Sequence, residues 1–146
     1  MSVTLAQASI IVDTALAKAR ELKLHPLTVV VLDAGGHMVA MKREDKSGIL
    51  RGEIATGKAW GTLGMGFGGR EFARRAAAGG AVFLQALMAA SGGRIVPAPG
   101  GVLIRDDAGE IVGAVGISGD TSDKDEACAV AGITAAGLKP DTGETV

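Results

Sequence analysis

The sequence predicts a single α+β domain in which helices cover a mainly antiparallel sheet. Three observations support this class. Two pairs of apolar runs are each joined by a short turn, segments of helical periodicity flank both pairs, and no strand–helix–strand repeat occurs. The chain has 146 residues, of which 47% are hydrophobic, and this is enough to bury the core of one domain. Residues 1–146 are therefore predicted to form one domain.

Residues 1–42 are predicted to form one helix and one hairpin. The elements are a helix capped by Ser2 or Thr4 and running to about Lys23, a strand at 27–32, a turn at 33–36 and a return strand at 37–42. The helix follows from apolar residues at helical spacing, and Pro26 ends it. Gly35 and Gly36 supply the positive φ that a tight hairpin turn requires, so the two strands are expected to be antiparallel.

Residues 49–146 are predicted to form three helices and a second hairpin. The elements are helices at 49–63 and 70–90, separated by a flexible loop at 64–69, a short strand at 94–96, strands at 102–105 and 110–118, a last helix from near Asp123 to about Leu138, and a frayed tail at 141–146. Gly79 and Gly80 are expected to divide the second of these helices. Its predicted inward-facing residues are Phe72, Ala76, Val82, Phe83, Ala86 and Leu87.

The stretch from Ile111 to Glu126 reads as a strand that leads into a capped helix. Alternation predicts two sets of side chains, with Ile111, Val115 and Ile117 on one face and Val112, Ala114, Gly116 and Ser118 on the other. Because glycine in a strand usually marks a close approach of backbone or ligand, Gly113, Gly116 and Gly119 are predicted to serve close packing. Ser122 and Asp125 have the spacing of a capping box.

Composition excludes several classes of function. Fifteen basic and sixteen acidic residues leave a net charge of −1, so no basic field favours nucleic acid. The single cysteine, Cys128, excludes an internal disulfide and a cysteine-based zinc cage, and it is expected to be a buried thiol. The N-terminus lacks the pattern of a signal peptide and no membrane span is predicted, so a cytoplasmic protein is expected.

Packing in this chain depends on small residues. Aromatic residues make up 3% of the chain, whereas glycine occupies 23 positions. A domain with few bulky anchors often gains buried area by association with further copies. A homo-oligomer is therefore expected.

Two glycine-rich segments resemble nucleotide-binding motifs but fail on context. Gly52 and Gly57-Lys58 have the spacing of a phosphate-binding loop, yet Ala59 stands where Ser or Thr would reach magnesium, and helix formers lie between the glycines. The glycines at 64–69 do not follow a strand and lack the dinucleotide spacing. Neither segment predicts a nucleotide site.

Candidate ligands for a metal or haem iron are few. His25 and His37 are too few and too differently placed for a protein metal site without help from carboxylates, but each can ligate haem iron from one side. The structural alternative for His25 is a cation that interacts with the C-terminus of the first helix, and the alternative for His37 is an exposed turn residue. Methionines are soft ligands or core fillers, and the candidates are Met38, Met41 and Met65. The acids from Asp120 to Glu126 are expected to start the helix rather than to bind a metal.

A second set of residues suggests recognition of a carboxylate. The candidate cations are Arg43, Lys58, Arg94 and Arg105, assisted by the amides of Gly100 and Gly101. Ser118 can act as a nucleophile only beside a base, and folding would have to bring one such as His37 to it. Ser118 and Asp120 are expected to mark the rim of any site.

Several stretches together resemble the GlcG/HbpS-like family, which includes the C-terminal domain of PduO-type proteins. The stretches are Val30 to His37 with Arg43, Lys58-Ala59, Gly100-Gly101, Ile111 to Gly119, and Asp125 to Ala127. The resemblance implies a profilin-like three-layer α/β/α fold with a five-stranded, mainly antiparallel sheet, and assembly into dimers, tetramers or octamers. Members of the family bind or degrade haem, or are linked to corrinoid or glycolate catabolism. Asp120 and Leu103 depart from the family pattern.

These observations lead to two functional hypotheses, beside a third in which the protein is a structural or regulatory partner without a ligand. The first is an oligomeric small-molecule-binding protein with haem or a related tetrapyrrole as its ligand. Its binding residues are predicted to be His25, His37, Lys58, Gly100 and Gly101, with one of the histidines as the axial ligand. The alternative is a catabolic isomerase or hydrolase that acts on a small carboxylate. Its catalytic residues would be His37, Arg43, Ser118 and Asp120.

Overall fold

The computed structural model describes residues 1–144. In this range the elements are α1 (Leu5–Glu21), β1 (Thr28–Asp33), β2 (Met38–Arg43), α2 (Arg51–Met65), α3 (Gly69–Ser91), β3 (Gly101–Arg105), β4 (Ile111–Ser118), α4 (Ser122–Ala135) and β5 (Lys139–Asp141). The strands form one sheet in the order β2-β1-β4-β3-β5, and every neighbouring pair is antiparallel. The predicted fold class and both predicted hairpins are confirmed.

Helices cover both faces of the sheet, which gives three layers. Helices α1 and α4 pack on the face that carries Val29 and Ile117, and this side holds the larger apolar core. Helix α2 packs on the opposite face, which carries Val30 and Leu32. Helix α1 begins with a capping box between Thr4 and Gln7. Thr4 is one of the two residues predicted to cap this helix.

Glycine allows α2 to lie directly against the sheet. A Cβ built on Gly116 of β4 would overlap with the carbonyl of Ala55 in α2. The same atom on Gly113 would overlap with the Leu32 carbonyl, and on Gly119 with the Pro26 carbonyl. The prediction that these three glycines serve close backbone approach is confirmed.

Four local predictions are wrong. The β3–β4 register shifts next to Ile104, so Val112 joins the core on the α1 and α4 side and Ile111 packs on the α2 side, each on the face opposite to the predicted one. The N-cap of α4 is Thr121, without a side-chain cap bond, so the capping box predicted at Ser122 is absent. Residues 94–96 form no strand. Residues 139–141 form β5 and extend into the range predicted to be a frayed tail, of which 145–146 lie outside the described residues.

Helix α3 is divided at Gly80, as predicted. Gly80 has φ 73° and ψ −169°, a conformation that is essentially restricted to glycine. Phe72 is buried before the break, but Val82 after it is 81% exposed. The inward orientation predicted for the second half of the helix is wrong, because this half extends away from the core and its apolar side chains remain at the surface.

Candidate ligand-binding groove

An open groove of about 650 Å³ lies between the β1–β2 hairpin, α2 and the segment that follows α3. It is lined by Val30, Gly36, Met38, Met41, Leu50, Gly52, Glu53, Ile54, Thr56, Gly57, Trp60, Gly93, Arg94 and Val96. Most of these residues are apolar, and the volume lies within the range of roughly 300–1,000 Å³ found for small-molecule sites. We refer to this feature as the groove.

The groove exists because α2 leaves the outer strand uncovered. Helix α2 packs against β4, β1 and β3, whereas β2 is at the edge of the sheet. Met38 is therefore 53% exposed and Met41 46% exposed on the side that faces α2. A register shift between Val31 and Leu32 places both thioethers on one face, although residues three apart in a regular strand point to opposite faces.

One end of the groove carries an aromatic ring and a guanidinium. The Arg94 guanidinium lies 3.9 Å above the ring centroid of Trp60, the sole tryptophan of the chain. Its Nε donates a hydrogen bond of 3.2 Å to the Ser91 carbonyl. Glu53 lines the same groove nearer the start of α2. The groove therefore has a cationic end and an acidic end.

His37 lies beside the groove, in the turn between two of its lining residues, but is not itself one of them. Its side chain is 81% exposed, and Nδ1 is 3.2 Å from Asp33 Oδ1. The backbone N–H of His37 also donates to Asp33 and, with that of Gly35, holds the pKa of this carboxyl below its usual value.

His25 lies at the other end of β1 and outside the groove. It is exposed, and its backbone N–H donates a hydrogen bond of 2.9 Å to Asp120 Oδ2. The two histidines that the sequence suggested as axial ligands therefore flank opposite ends of one strand. Of the two, His37 alone is next to the groove.

Lys58 belongs to a buried ion pair rather than to an open site. Its Nζ donates to the Ile117 carbonyl at 2.8 Å and lies 3.3 Å from Asp125 Oδ2. Lys58 is 3% exposed and Asp125 is 1% exposed. Burial lowers the pKa of the Lys58 amine and raises the pKa of the Asp125 carboxyl. A Cβ on Gly100 would lie 2.9 Å from Lys58 Nζ, so the glycine is needed for this packing.

The end of β4 and the start of α4 complete this buried polar junction, which we define as Arg51, Lys58, Ser118, Asp120 and Asp125. The Asp120 N–H donates to Asp125 Oδ1 at 3.0 Å. The Asp120 carboxylate accepts from the backbone N–H groups of His25 and Thr121, and these bonds lower its pKa. Ser118, 1% exposed, accepts from Arg51 Nη1 at 3.1 Å. Internal hydrogen bonds thus occupy these groups.

The catalytic set suggested by the sequence does not converge within the described chain. Thr28, at the start of β1, pairs with both Arg43 and Ser118, whereas His37 bonds to Asp33 at the far end of the strand. Five steps of about 3.4 Å separate these ends, or about 17 Å. The structure therefore brings Ser118 and Asp120 into one region but keeps the proposed base, His37, away from the nucleophile.

Sequence reasoning missed the role of α2 as one wall of the groove. Glu53, Thr56, Gly57 and Trp60 follow the i, i+3, i+4, i+7 pattern and so share one face of the helix. A single tryptophan in a chain with 3% aromatic residues was the available signal. The sequence offers Met38 and Met41 as soft ligands, but strand alternation does not place them on one face.

Two negative findings apply to residues 1–144. No group of three or more His, Cys, Asp or Glu side chains is arranged to hold a metal ion in this range. None of the helices described there has both the length and the apolar character needed to cross a membrane.

Cys128 is buried as expected, and burial raises the pKa of its thiol to about 11.

Comparisons with known structures agree on the fold. The chain is similar to the PduOC–haem complex, with 24% identity over 99% of this chain and 100% of that chain and a TM-score of 0.84. It is similar to the ORFY protein of Klebsiella pneumoniae, with 25% identity, 92% and 90% coverage and a TM-score of 0.83. A double mutant of Streptomyces reticuli HbpS has 24% identity, 92% and 86% coverage and a TM-score of 0.77.

Curated proteins give no match. The sequence model of a family described as "haem degrading protein HbpS-like" matches residues 3–134. This match covers most of the chain and includes the groove and the buried polar junction. The chain belongs to the HbpS-like family.

Proposed function

We propose that the protein binds haem or a related tetrapyrrole in the groove. The observation that carries the proposal is the wall formed by Met38 and Met41, two exposed thioethers on one face of an apolar cavity. Exposed methionines in such a position are soft, polarizable contacts for a flat ligand. Membership of a family described as haem degrading, and a similar protein solved as a haem complex, support this ligand class.

The residues present fit a haem group. Apolar side chains would exclude water from the macrocycle, and the Trp60 ring would supply an aromatic contact. Met38 and Met41 are candidate axial ligands, and His37 is a further candidate because it adjoins the groove at the hairpin turn. Bound haem would supply a redox-active iron. Lys58, Gly100 and Gly101 would support the fold rather than touch the ligand.

The test is a haemin titration monitored by two signals. Binding should shift the Soret band and quench the fluorescence of Trp60, which is the sole tryptophan and lines the groove. Met38→Leu, Met41→Leu and His37→Ala identify the axial ligand through the Soret position. His25→Ala is the matched control, because His25 lies at the opposite end of β1.

Iron-free protoporphyrin separates ligation from occupancy of the groove. It should quench Trp60 equally in the wild type and in the axial-ligand variant, since it carries no iron to be ligated. If haemin neither shifts its Soret band nor quenches Trp60 in the wild type, the proposed function is wrong.

We also propose that the second half of α3 joins copies of the chain into a homo-oligomer. Residues 81–91, which follow the break at Gly80, carry no charged side chain, and Val82 and Met88 are exposed there. Such a surface is typical of an association site. Val82→Glu should lower the mass measured by light scattering, whereas Ala78→Glu, before the break, should not. The cytoplasmic location stays a prediction that cell fractionation can test.

A further inference from the structure

The groove has an acidic residue at one end and a cation at the other, and the cation is held in a defined position. Glu53 and Trp60 lie seven residues apart on α2, or about 10 Å at 1.5 Å per residue. Arg94 stands over Trp60 and therefore marks the end farther from Glu53. A ligand with one charged end has an electrostatic reason to adopt one orientation in this groove.

Arg94 is fixed from both its backbone and its side chain. Its carbonyl oxygen lies against Gly57, where a Cβ would approach it to 2.6 Å. Its guanidinium is stacked on Trp60 at 3.9 Å, and Nε donates to the Ser91 carbonyl. A stacked guanidinium is preorganised, so that less side-chain freedom is lost when it binds an anion.

Many other cations among residues 1–144 are engaged elsewhere. Within residues 1–144, ion pairs with carboxylates are made by Arg20, Arg70, Arg75, Arg105 and Lys58, among others. Arg51 donates to Ser118, and Arg43 donates to the Ser47 carbonyl. Arg94 makes no ion pair with a described carboxylate, and among the groove's lining residues it is the one Lys or Arg. Its two terminal amino groups are therefore available to a ligand.

We propose that Arg94, held on the ring of Trp60, makes the groove selective for ligands that carry a carboxylate. The inference rests on the proposed function and adds the chemical class of the group that the site recognises. A guanidinium offers two parallel donors that match a carboxylate, whereas a lysine amine offers a point charge. The propionate groups of a tetrapyrrole have this chemistry. Their methyl esters keep the same ring but carry no charge, and each ester adds one methyl group to its side chain.

The experiment compares haemin with haemin dimethyl ester in four proteins. Both ligands contain iron, so ligation of the iron is common to both. The Arg94 variants then separate the effect of the carboxylates from that of the added methyl groups. The proteins are the wild type, Arg94→Gln, Arg94→Lys and the control Arg75→Gln. Arg75 is a matched control because its guanidinium also stacks on an aromatic ring, 4.5 Å from that of Phe67, but lies outside the groove.

Quenching of Trp60 gives the dissociation constants, with each variant normalised to its own unliganded emission. The wild type should prefer haemin over the ester by roughly tenfold, the size expected for one partly exposed charge-assisted hydrogen-bonded pair. Arg94→Gln should abolish that preference by weakening the binding of haemin but not of the ester. Arg94→Lys should retain part of the preference. Arg75→Gln should match the wild type.

The outcomes separate the two proposals. If the wild type binds both ligands equally, or if Arg94→Gln weakens both by the same factor, Arg94 does not select for a carboxylate, while the groove remains the binding site. If the wild type binds neither ligand, the proposed function fails and the inference fails with it.

Discussion

Replacing Lys58 by methionine should destabilise the protein by about 3–5 kcal/mol, the cost of removing one partner from a buried ion pair. Methionine fills a similar volume but leaves Asp125 1% exposed without its cation. The carboxylate would keep the Asp120 N–H as a hydrogen-bond donor. Because burial already raises the pKa of Asp125, protonation can relieve part of the cost, and we expect a value near the lower end of the range.

The exposed pair between Lys42 and Asp13 provides the matched control. Its Nζ–Oδ1 distance is 2.7 Å, shorter than the 3.3 Å between Lys58 and Asp125, but both of its side chains are 60% exposed. Solvent screens such a pair, so Lys42→Met should cost less than about 1 kcal/mol. If distance rather than burial decided the energy, the order of the two variants would be reversed.

Urea unfolding followed by circular dichroism measures both variants. Asp125→Asn and the double variant with Lys58→Met complete a thermodynamic cycle. The double variant should cost at least about 2 kcal/mol less than the sum of the single changes, because it leaves neither charge buried alone. Additive single effects, or a Lys58→Met cost no larger than that of Lys42→Met, would refute the assignment of the pair as a coupled buried unit.

Three further predictions concern the Asp120 carboxylate of the junction and glycines elsewhere in the fold. Hydrogen bonds lower the pKa of Asp120 below its ordinary 3.8, so its contribution to stability is present above that pH and is lost as pH falls through the lower folded value. Between pH 6 and pH 3, urea midpoints of Asp120→Asn should therefore fall less than those of the wild type, and parallel curves would contradict this. Gly116→Ala should lower the free energy of unfolding by about 3 kcal/mol or more, because a Cβ there would force α2 away from the sheet. Gly64 in α2 has open space around it, so Gly64→Ala should raise the free energy of unfolding by about 0.5–1 kcal/mol. Gly80→Ala should cost about 1–3 kcal/mol in thermal unfolding, since Gly80 has a backbone conformation that alanine rarely adopts.

Short-range signals were sufficient for most of the fold. Both hairpins were predicted because turn residues and alternation lie within a few positions of each other. The cap of α4 was not predicted correctly. The Asp125 carboxylate pairs with Lys58, which is distant in sequence, and accepts a hydrogen bond from the Asp120 N–H instead of capping the helix. A local capping pattern carries no information about such a partner.

The groove was harder to predict for two physical reasons. Strand alternation places Met38 and Met41 on opposite faces, and the register shift that reunites them depends on pairing with β1. Helical periodicity in α3 was recognised, but an apolar stripe has the same spacing whether it faces its own core or another copy. Val82 is exposed although its position in the pattern is typical of a buried residue.

The residues that carry the family resemblance converge mainly on the buried polar junction and not on the groove. Lys58, Gly100, the end of β4 and Asp125 meet there, where they connect α2, the sheet and the start of α4. Most of the groove's lining residues, including Trp60 and Arg94, lie outside the stretches that resemble the family. The resemblance therefore rests mainly on residues that hold the layers together, whereas the proposed ligand site is formed by side chains on the other side of α2. The two regions can be mutated separately, so a loss of haemin affinity without a loss of stability would identify residues of the groove.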